Sequence, residues 1–394
     1  MQVNFKVIPI KPEKDVIESF EWLTDVIQSY SITEQRICLR EFPRQTLKMS
    51  LSIKNSYESS ILRTLLTGYD NILYGVGCWH EMSRLGYELN SGSLSIQIAT
   101  RYSDYYASSY ALIWESKNNY EVVKIDSLTE SSLELSIDSA TLSSFSKNAL
   151  VMPLRVCKLS KLSVTDQKVN VSTISCEFES IESFDIDDSI FEQSFLGNPV
   201  FLSRLQLNNR IVQYEISQKV NRVDFLTGDF EIFSQKNFVQ TSKPFFVKAF
   251  TRESSRSLKN LLFGLKGRLV PMWIPSWSND LTVLNSSNEN SSIVSIRNCE
   301  YSSSKFLQPD SRFLSIHLRD GSIALRQIIT AVEVDSAEEH IELNEPIVSS
   351  CIVKLSFLKL FRNSSDLVSL TRTHCNMIEA NVNFIEIRST NESV

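Results

Sequence analysis

Glycine and proline are scarce in this chain of 394 residues, with ten of each. That excludes collagen-like and glycine-rich architectures. Long apolar runs are missing too. No stretch approaches the 18 or more uncharged apolar residues that a membrane-spanning helix needs. The opening MQVNFKVIPIKPEKD is too short and too interrupted in its apolar part for a signal peptide. The expectation is a soluble protein, folded in a cytoplasm, with no membrane span. A basic excess is also lacking: the net charge is -6. Composition therefore offers no electrostatic case for binding nucleic acid or an anionic membrane, and no direct nucleic-acid binding is expected.

The residue types that carry chemistry are sparse or badly spaced. Seven cysteines (Cys38, Cys78, Cys157, Cys176, Cys299, Cys351 and Cys375) form no CxxC pair. Neither a disulfide framework nor a zinc site follows from them, and reduced, mostly buried thiols are expected. Of the four histidines, His80 precedes Glu81 as in a zinc-protease helix, but Arg84 stands where the second histidine would be. Glu339-His340 falls in an expected hairpin, where solvation is the simpler reading. No GxSxG, GxGxxG or P-loop occurs. Ser144-x-x-Lys147 and Ser302-x-x-Lys305 fit an S-x-x-K pattern that a serine-rich chain produces by accident. No catalytic, cofactor-binding or metal-ligating residue can be singled out, so a non-enzymatic protein without a cofactor is expected.

What is present is strand signal. Apolar residues make up 42% and charged residues 22%, the balance of a globular chain. Leu47, Met49, Leu51 and Ile53 alternate with Lys48, Ser50 and Ser52. Val247 and Ala249 flank Lys248 likewise, and Leu94, Ile96 and Ile98 alternate with Ser95 and Gln97. Asp320-Gly321 separates two alternating runs and reads as a hairpin turn. Residues 16–30 are ambiguous. They could be helical, but Trp22, Thr24 and Val26 alternate as a strand would.

Two short helices are expected. Leu62, Leu65, Leu66 and Tyr69 follow helical spacing, as do Leu258, Leu261, Leu262 and Leu265. Serines precede each as N-cap candidates, and Gly68 and Gly264 are candidate C-terminal caps. The two segments also match each other. Leu62-Arg63-Thr64-Leu65-Leu66-Thr67-Gly68 and Leu258-Lys259-Asn260-Leu261-Leu262-Phe263-Gly264 lie 196 residues apart (258 − 62). Lys158-Leu159-Ser160-Lys161-Leu162 matches Lys354-Leu355-Ser356-Phe357-Leu358 at the same spacing (354 − 158 = 196). Weaker echoes keep the same order. They pair Trp79 with Trp277, Leu94–Ile96 with Val294–Ile296, Leu133–Leu135 with Ile341–Leu343, and Glu177–Glu179 with Asn383–Glu386. A tandem duplication is the expectation. The join lies near residues 180–198, where an acidic cluster meets Gly197-Asn198-Pro199. The expected fold is mainly β: two related β-barrel or sandwich halves, residues 1–190 and 191–394, each with one short helix.

The segment Val270-Pro271-Met272-Trp273-Ile274-Pro275-Ser276-Trp277 leaves a choice open. Its tryptophans could pack on the core or offer a binding surface to a partner, a sugar or a base.

One resemblance covers most of the chain. Phe20-Glu21-Trp22-Leu23-Thr24-Asp25-Val26 is followed by Glu34-Gln35-Arg36-Ile37-Cys38-Leu39-Arg40-Glu41-Phe42-Pro43-Arg44, an alternating strand, a Leu-Leu-x-Gly helix and Trp79. This resembles tail proteins of long-tailed bacteriophages, where an E-x-R … R-x-x-P-R stretch precedes the strands of a tail-tube-like barrel. The Trp-Ile-Pro-Ser-Trp stretch and the Asp320-Gly321 hairpin look like the same kind of protein. The resemblance implies a distal-tail or baseplate (minor tail) protein of the virion, assembled in the host cytoplasm. It would form a ring of its own copies, a trimer or hexamer, and join the tail tube to baseplate hub proteins at the tip. Three copies would then present six related lobes. Rival readings are a receptor- or carbohydrate-binding tail-tip module, and a tip-associated hydrolase relying on facing carboxylates.

Overall fold

The computed structural model describes residues 5–13, 15–29, 33–53, 72–128, 134–168, 171–183, 191, 193–202, 214–284, 289–374 and 377–388. The protein is mainly β, built of large antiparallel sheets, as its alternating segments require. The first half contributes β1 (Lys6–Val7), β2 (Val16–Gln28), β3 (Glu34–Ile53), β4 (Tyr74–Gly77), β5 (Ser83–Arg84), β6 (Ser95–Gln97), β7 (Tyr110–Ser116), β8 (Asn119–Leu128), β9 (Glu134–Ile137), β10 (Leu150–Lys168) and β11 (Val171–Ser180). A small hairpin of β12 (Ser194–Phe195) and β13 (Asn198–Pro199) follows. The second half contributes β14 (Glu215–Asp224), β15 (Phe230–Ala249), helix α1 (Arg252–Leu265), β16 (Met272–Pro275), β17 (Asn290–Arg297), β18 (Phe313–Leu318), β19 (Ile323–Glu333), β20 (Glu338–Val348), β21 (Ile352–Asn363), β22 (Leu367–His374) and β23 (Met377–Glu386).

In the first half β2 pairs with β3, β3 with β11, and β11 with β10. β10 also takes β4 and β7, and β7, β8, β9 and β6 follow in order. In the second half β14 pairs with β15, and β15 with β23. β23 takes both β22 and β21, and β21 takes β16 and β18. β18, β19, β20 and β17 then follow in order. Among the described residues one strand pair joins the halves: β2 lies antiparallel to β22.

Among the described residues this network is open and branched. No path among these strands returns to its start, and in the second half only the isolated bridges Leu281–Leu355 and Val283–Ile296 link β21 to β17. Neither half is therefore a closed barrel, one of the two forms (barrel or sandwich) that were expected. The long strands explain this. β10 and β21 change partners along their length, passing from one sheet to another instead of closing one.

Two larger cores stand out in each half. Leu47, Met49, Leu51 and Ile53 of β3 pack with Val76, Ile174 and Phe178, the alternation read from the sequence. Ile96, Ile113, Ile125 and Leu135 fill a second core. In the second half, Val294, Ile316, Ile341 and Leu355 form one core. The other lies under α1 and crosses the halves, since Phe20 and Trp22 of β2 pack with Leu258, Leu262, Phe263 and Leu370. Residues 16–28 are thus a strand, with Val16, Phe20, Trp22 and Thr24 on the buried side.

Several local expectations change. α1 starts on Thr251, whose side chain accepts from the Ser254 amide in a capping box, not on a serine. Gly264 lies inside the helix. A Cβ there would stand 2.7 Å from the Phe191 ring, so close packing explains this glycine. The helix ends at Lys266 with a left-handed backbone, φ 48°, followed by Gly267 at φ 65°. The helix expected over residues 62–69 lies outside the described residues. Leu94 is exposed, and only Ile96 and Ile98 of its run enter the core. Of the described thiols, Cys78, Cys157 and Cys176 are buried, whereas Cys38, Cys299 and Cys351 are exposed, so mostly buried thiols do not describe the set.

Candidate functional site

The most unusual chemistry lies where the halves meet. Glu18 sits on the buried side of β2, in register with Val16 and Phe20. It accepts hydrogen bonds from Gln45 Nε2 at 2.9 Å, Lys259 Nζ at 2.9 Å and Arg372 Nη2 at 2.6 Å. Lys259 projects from α1, and Arg372 from β22. The ammonium of Lys259 also donates to Asp104, as does the guanidinium of Arg256. Arg155, fully buried, donates to the Asp104 carbonyl at 3.0 Å. The Asp104 amide donates to Glu81 at 2.7 Å. Arg252 completes the contact by donating to Ser83 Oγ and to the Met82 carbonyl. α1 therefore has two working sides. Its leucines cover the second-half core, and its cationic residues grip the first half.

Electrostatics follow from this crowding. Burial alone would raise the Glu18 carboxyl, but Lys259 and Arg372 outweigh it and hold the group well below its ordinary range. Asp104 is lowered in the same way, with Lys259 and Arg256 opposing burial. Glu81 has no direct lysine or arginine ion pair among the described residues, and burial together with Asp104 pushes it up to about 7 against the pull of Lys259 and Arg372. Burial, helped by Arg372 and Lys259, lowers His80 to about 3 despite Glu18 nearby. Neither ring nitrogen of His80 has a hydrogen-bond partner among the described residues. An adjacent shallow cleft is bordered by Glu81, Tyr102, Arg252, Arg256 and Arg372. The ionised carboxylates in this cluster are neutralised by direct ion pairs across the seam, an arrangement suited to clamping two bodies together.

The clamp extends along β2. The amide of Thr24 donates to Asp366 Oδ2 at 2.9 Å, and Arg268 donates to the same carboxylate and to the Thr24 carbonyl. At the far end Glu34 receives both Nε (2.6 Å) and Nη2 (2.9 Å) of Arg362, a bidentate pair. Phe263 meets Phe20 and Trp22 edge-on at 4.7 and 5.2 Å.

The residues singled out from sequence scatter widely. His80 and Glu81 fall on a short 3-10 turn inside the cluster, whereas Glu339 is buried and accepts from the Tyr301 amide. His340 stays half-buried, paired with Glu338 at 3.0 Å. Trp273 is 1% exposed, and its indole donates to the Phe195 carbonyl, so it is a core residue. Trp277 is partly buried against Phe201 and Phe245. Trp79 is buried edge-on to Trp114 at 5.3 Å. The sequence did carry faint signals of the cluster. Glu18 interrupts an alternating apolar face, and Lys259 lies in the leucine stripe beside Leu258 and Leu262.

No family model matches the chain, and no curated protein matches it.

Proposed function

We propose that this protein is a non-enzymatic structural component of a long-tailed phage tail. In this reading it forms a ring at the distal tail or baseplate, between tail tube and tip. One observation carries the structural part: the strand pairings of residues 16–180 recur, partner by partner, in residues 215–386. β3–β11 answers to β15–β23, β10–β4 to β16–β21, β10–β7 to β18–β21, and β6 to β9 to the set β17 to β20. Phe178 stands opposite Leu47, and Phe384 opposite Lys243, a spacing of 196 (243 − 47), as for the two matching Leu-x-x-Leu-Leu sequences at Leu62 and Leu258. Trp79 and Trp277 each follow the strand that pairs with β10 or β21.

The repeat is not uniform in register. Leu159 pairs with Phe178 on β11, but Leu355 pairs with Ile316 on β18, so the Lys-Leu-Ser match joins unlike positions. The counterpart of Leu154, opposite Gly77, is Leu358, opposite Pro275. Loop insertions have shifted that part of the chain.

Two similar lobes in one chain are a means of building a ring with twice as many lobes as chains. The phage assignment rests on the resemblance of the first half's motifs. Light scattering and electron microscopy of the purified protein test the reading. Closed rings of three or six chains are expected, and a monomer at high concentration would sink it.

A further inference from the structure

The seam inside one chain also specifies a contact between chains, an inference that rests on the ring reading above. β2 of the first half pairs with β22 of the second. Their counterparts are β14 and the arm of β10 from residue 158 onward. Both are open edges among the described residues. β14 pairs with β15 alone, and beyond Cys157 the arm of β10 pairs with β11 alone. An open edge offers its unpaired backbone groups to another strand.

We propose that β14 of one copy pairs antiparallel with residues 161–164 of β10 in the next copy. The register follows from the seam. Ser19 stands opposite Thr46 and Glu215 opposite Ser242, so Glu215 takes the place of Ser19 (242 − 46 = 196). Leu370 stands opposite Ala380, four residues before Phe384; Val164 stands opposite Ile174, four before Phe178. Val164 thus takes the place of Leu370, and Ser163 that of Ser369. Because Ser19 faces Ser369, Glu215 faces Ser163, Ile216 faces Leu162 and Ser217 faces Lys161.

This register is chemically coherent on both faces of the new pair. Phe20 and Val368 are opposed and buried in the seam; Ile216 and Leu162 take their places. Ile216 is 61% exposed and Val164 41% exposed in a single chain, and the pairing covers both. On the opposite face, Glu215 comes diagonal to Lys161, charges of opposite sign within reach of each other. Shifting the register by one residue would place Ile216 on Lys161 or Ser163 and lose both matches.

Disulfide trapping tests the pairing. The hydroxyl oxygens of Ser19 and Ser369 lie 2.9 Å apart, so cysteines at the counterpart positions come within bonding reach. In a background with Cys38, Cys299, Cys351 and Cys375 replaced by serine, Glu215→Cys and Ser163→Cys are combined on one chain and mildly oxidised. Ser19→Cys with Ser369→Cys provides the intrachain control. The double variant is expected to give a ladder of covalent oligomers, at least about tenfold above either single variant, ending at the ring's copy number. Mixed single variants should stop at covalent pairs. Rings by light scattering without that ladder would overturn the edge pairing and leave the ring reading standing. A monomer at every concentration would remove both. Efficient cross-linking of Glu215→Cys alone would show β14 meeting β14, and would also overturn the proposal.

Discussion

The ammonium of Lys259 lies 2.9 Å from the carboxylate of Glu18, and both groups are removed from water between two halves of one chain. Lys259 also neutralises Asp104. Its removal would leave two buried carboxylates short of a cation. Lys259→Ala is expected to cost about 3–5 kcal/mol in chemical denaturation. Lys259→Arg should recover part of that. A loss below about 1 kcal/mol would mean that the cluster does not hold the halves together.

Two buried groups of the cluster pull stability in opposite directions with pH. His80, lowered from 6.5 to about 3, is neutral in the fold while the unfolded chain takes up its proton. Its contribution is complete above pH 6.5 and is lost as pH falls toward 3. Glu81, raised from 4.5 to about 7, keeps its proton in the fold. Its contribution is complete below pH 4.5 and is lost as pH rises through 7. Between pH 4.5 and 6.5 the two oppose each other. Glu81→Gln should expose the histidine alone, so that stability rises by about 2 kcal/mol across that interval where the parent protein is nearly flat. Urea midpoints at several pH values measure it, and an unchanged slope would count against this account.

Gly267 is held at φ 65° against the seam. A Cβ there would lie 2.5 Å from the Asp366 Oδ1 and 3.1 Å from the Cβ of Trp22. Asp366 is the acceptor for Thr24 and Arg268, so crowding it disturbs the seam as well as the turn. Gly267→Ala is expected to destabilise by about 1–3 kcal/mol, read as a lower Tm. Gly321→Ala, with open space around an equally left-handed turn, should cost less.

Trp273 separates core from binding surface. Enclosed by Phe195 and Phe313 at 5.6 and 4.9 Å, it should cost about 3–5 kcal/mol on truncation to alanine. Stability to denaturant would report that loss. An unchanged midpoint would mean that the ring contributes little to packing.

Much of this architecture was legible because alternation is a local signal. Leu47 to Ile53 and the hairpin at Asp320-Gly321 needed only near neighbours, as did the leucine stripe of α1. The tryptophans were half legible: the sequence of residues 270–277 left core packing and a binding surface both open, and only the fold says that Trp273 faces inward. The charged cluster was not legible as a whole. Glu18, Asp104, Lys259 and Arg372 are spread over most of the chain, and no spacing rule joins residues that meet through strand order. The failure of the barrels to close was equally hidden, because partner changes along β10 and β21 leave no mark in periodicity.

The junction of β2 with β22 also bears on geometry at a larger scale. On the proposed repeat, it fixes the rotation carrying one lobe onto the next, and it does so before any second molecule arrives. If contacts between molecules reuse that rotation, curvature is inherited from within each polypeptide. Residues such as Arg268 and Arg362, which hold that junction from within one chain, would then govern whether successive molecules curl into a circle or run on as an open spiral.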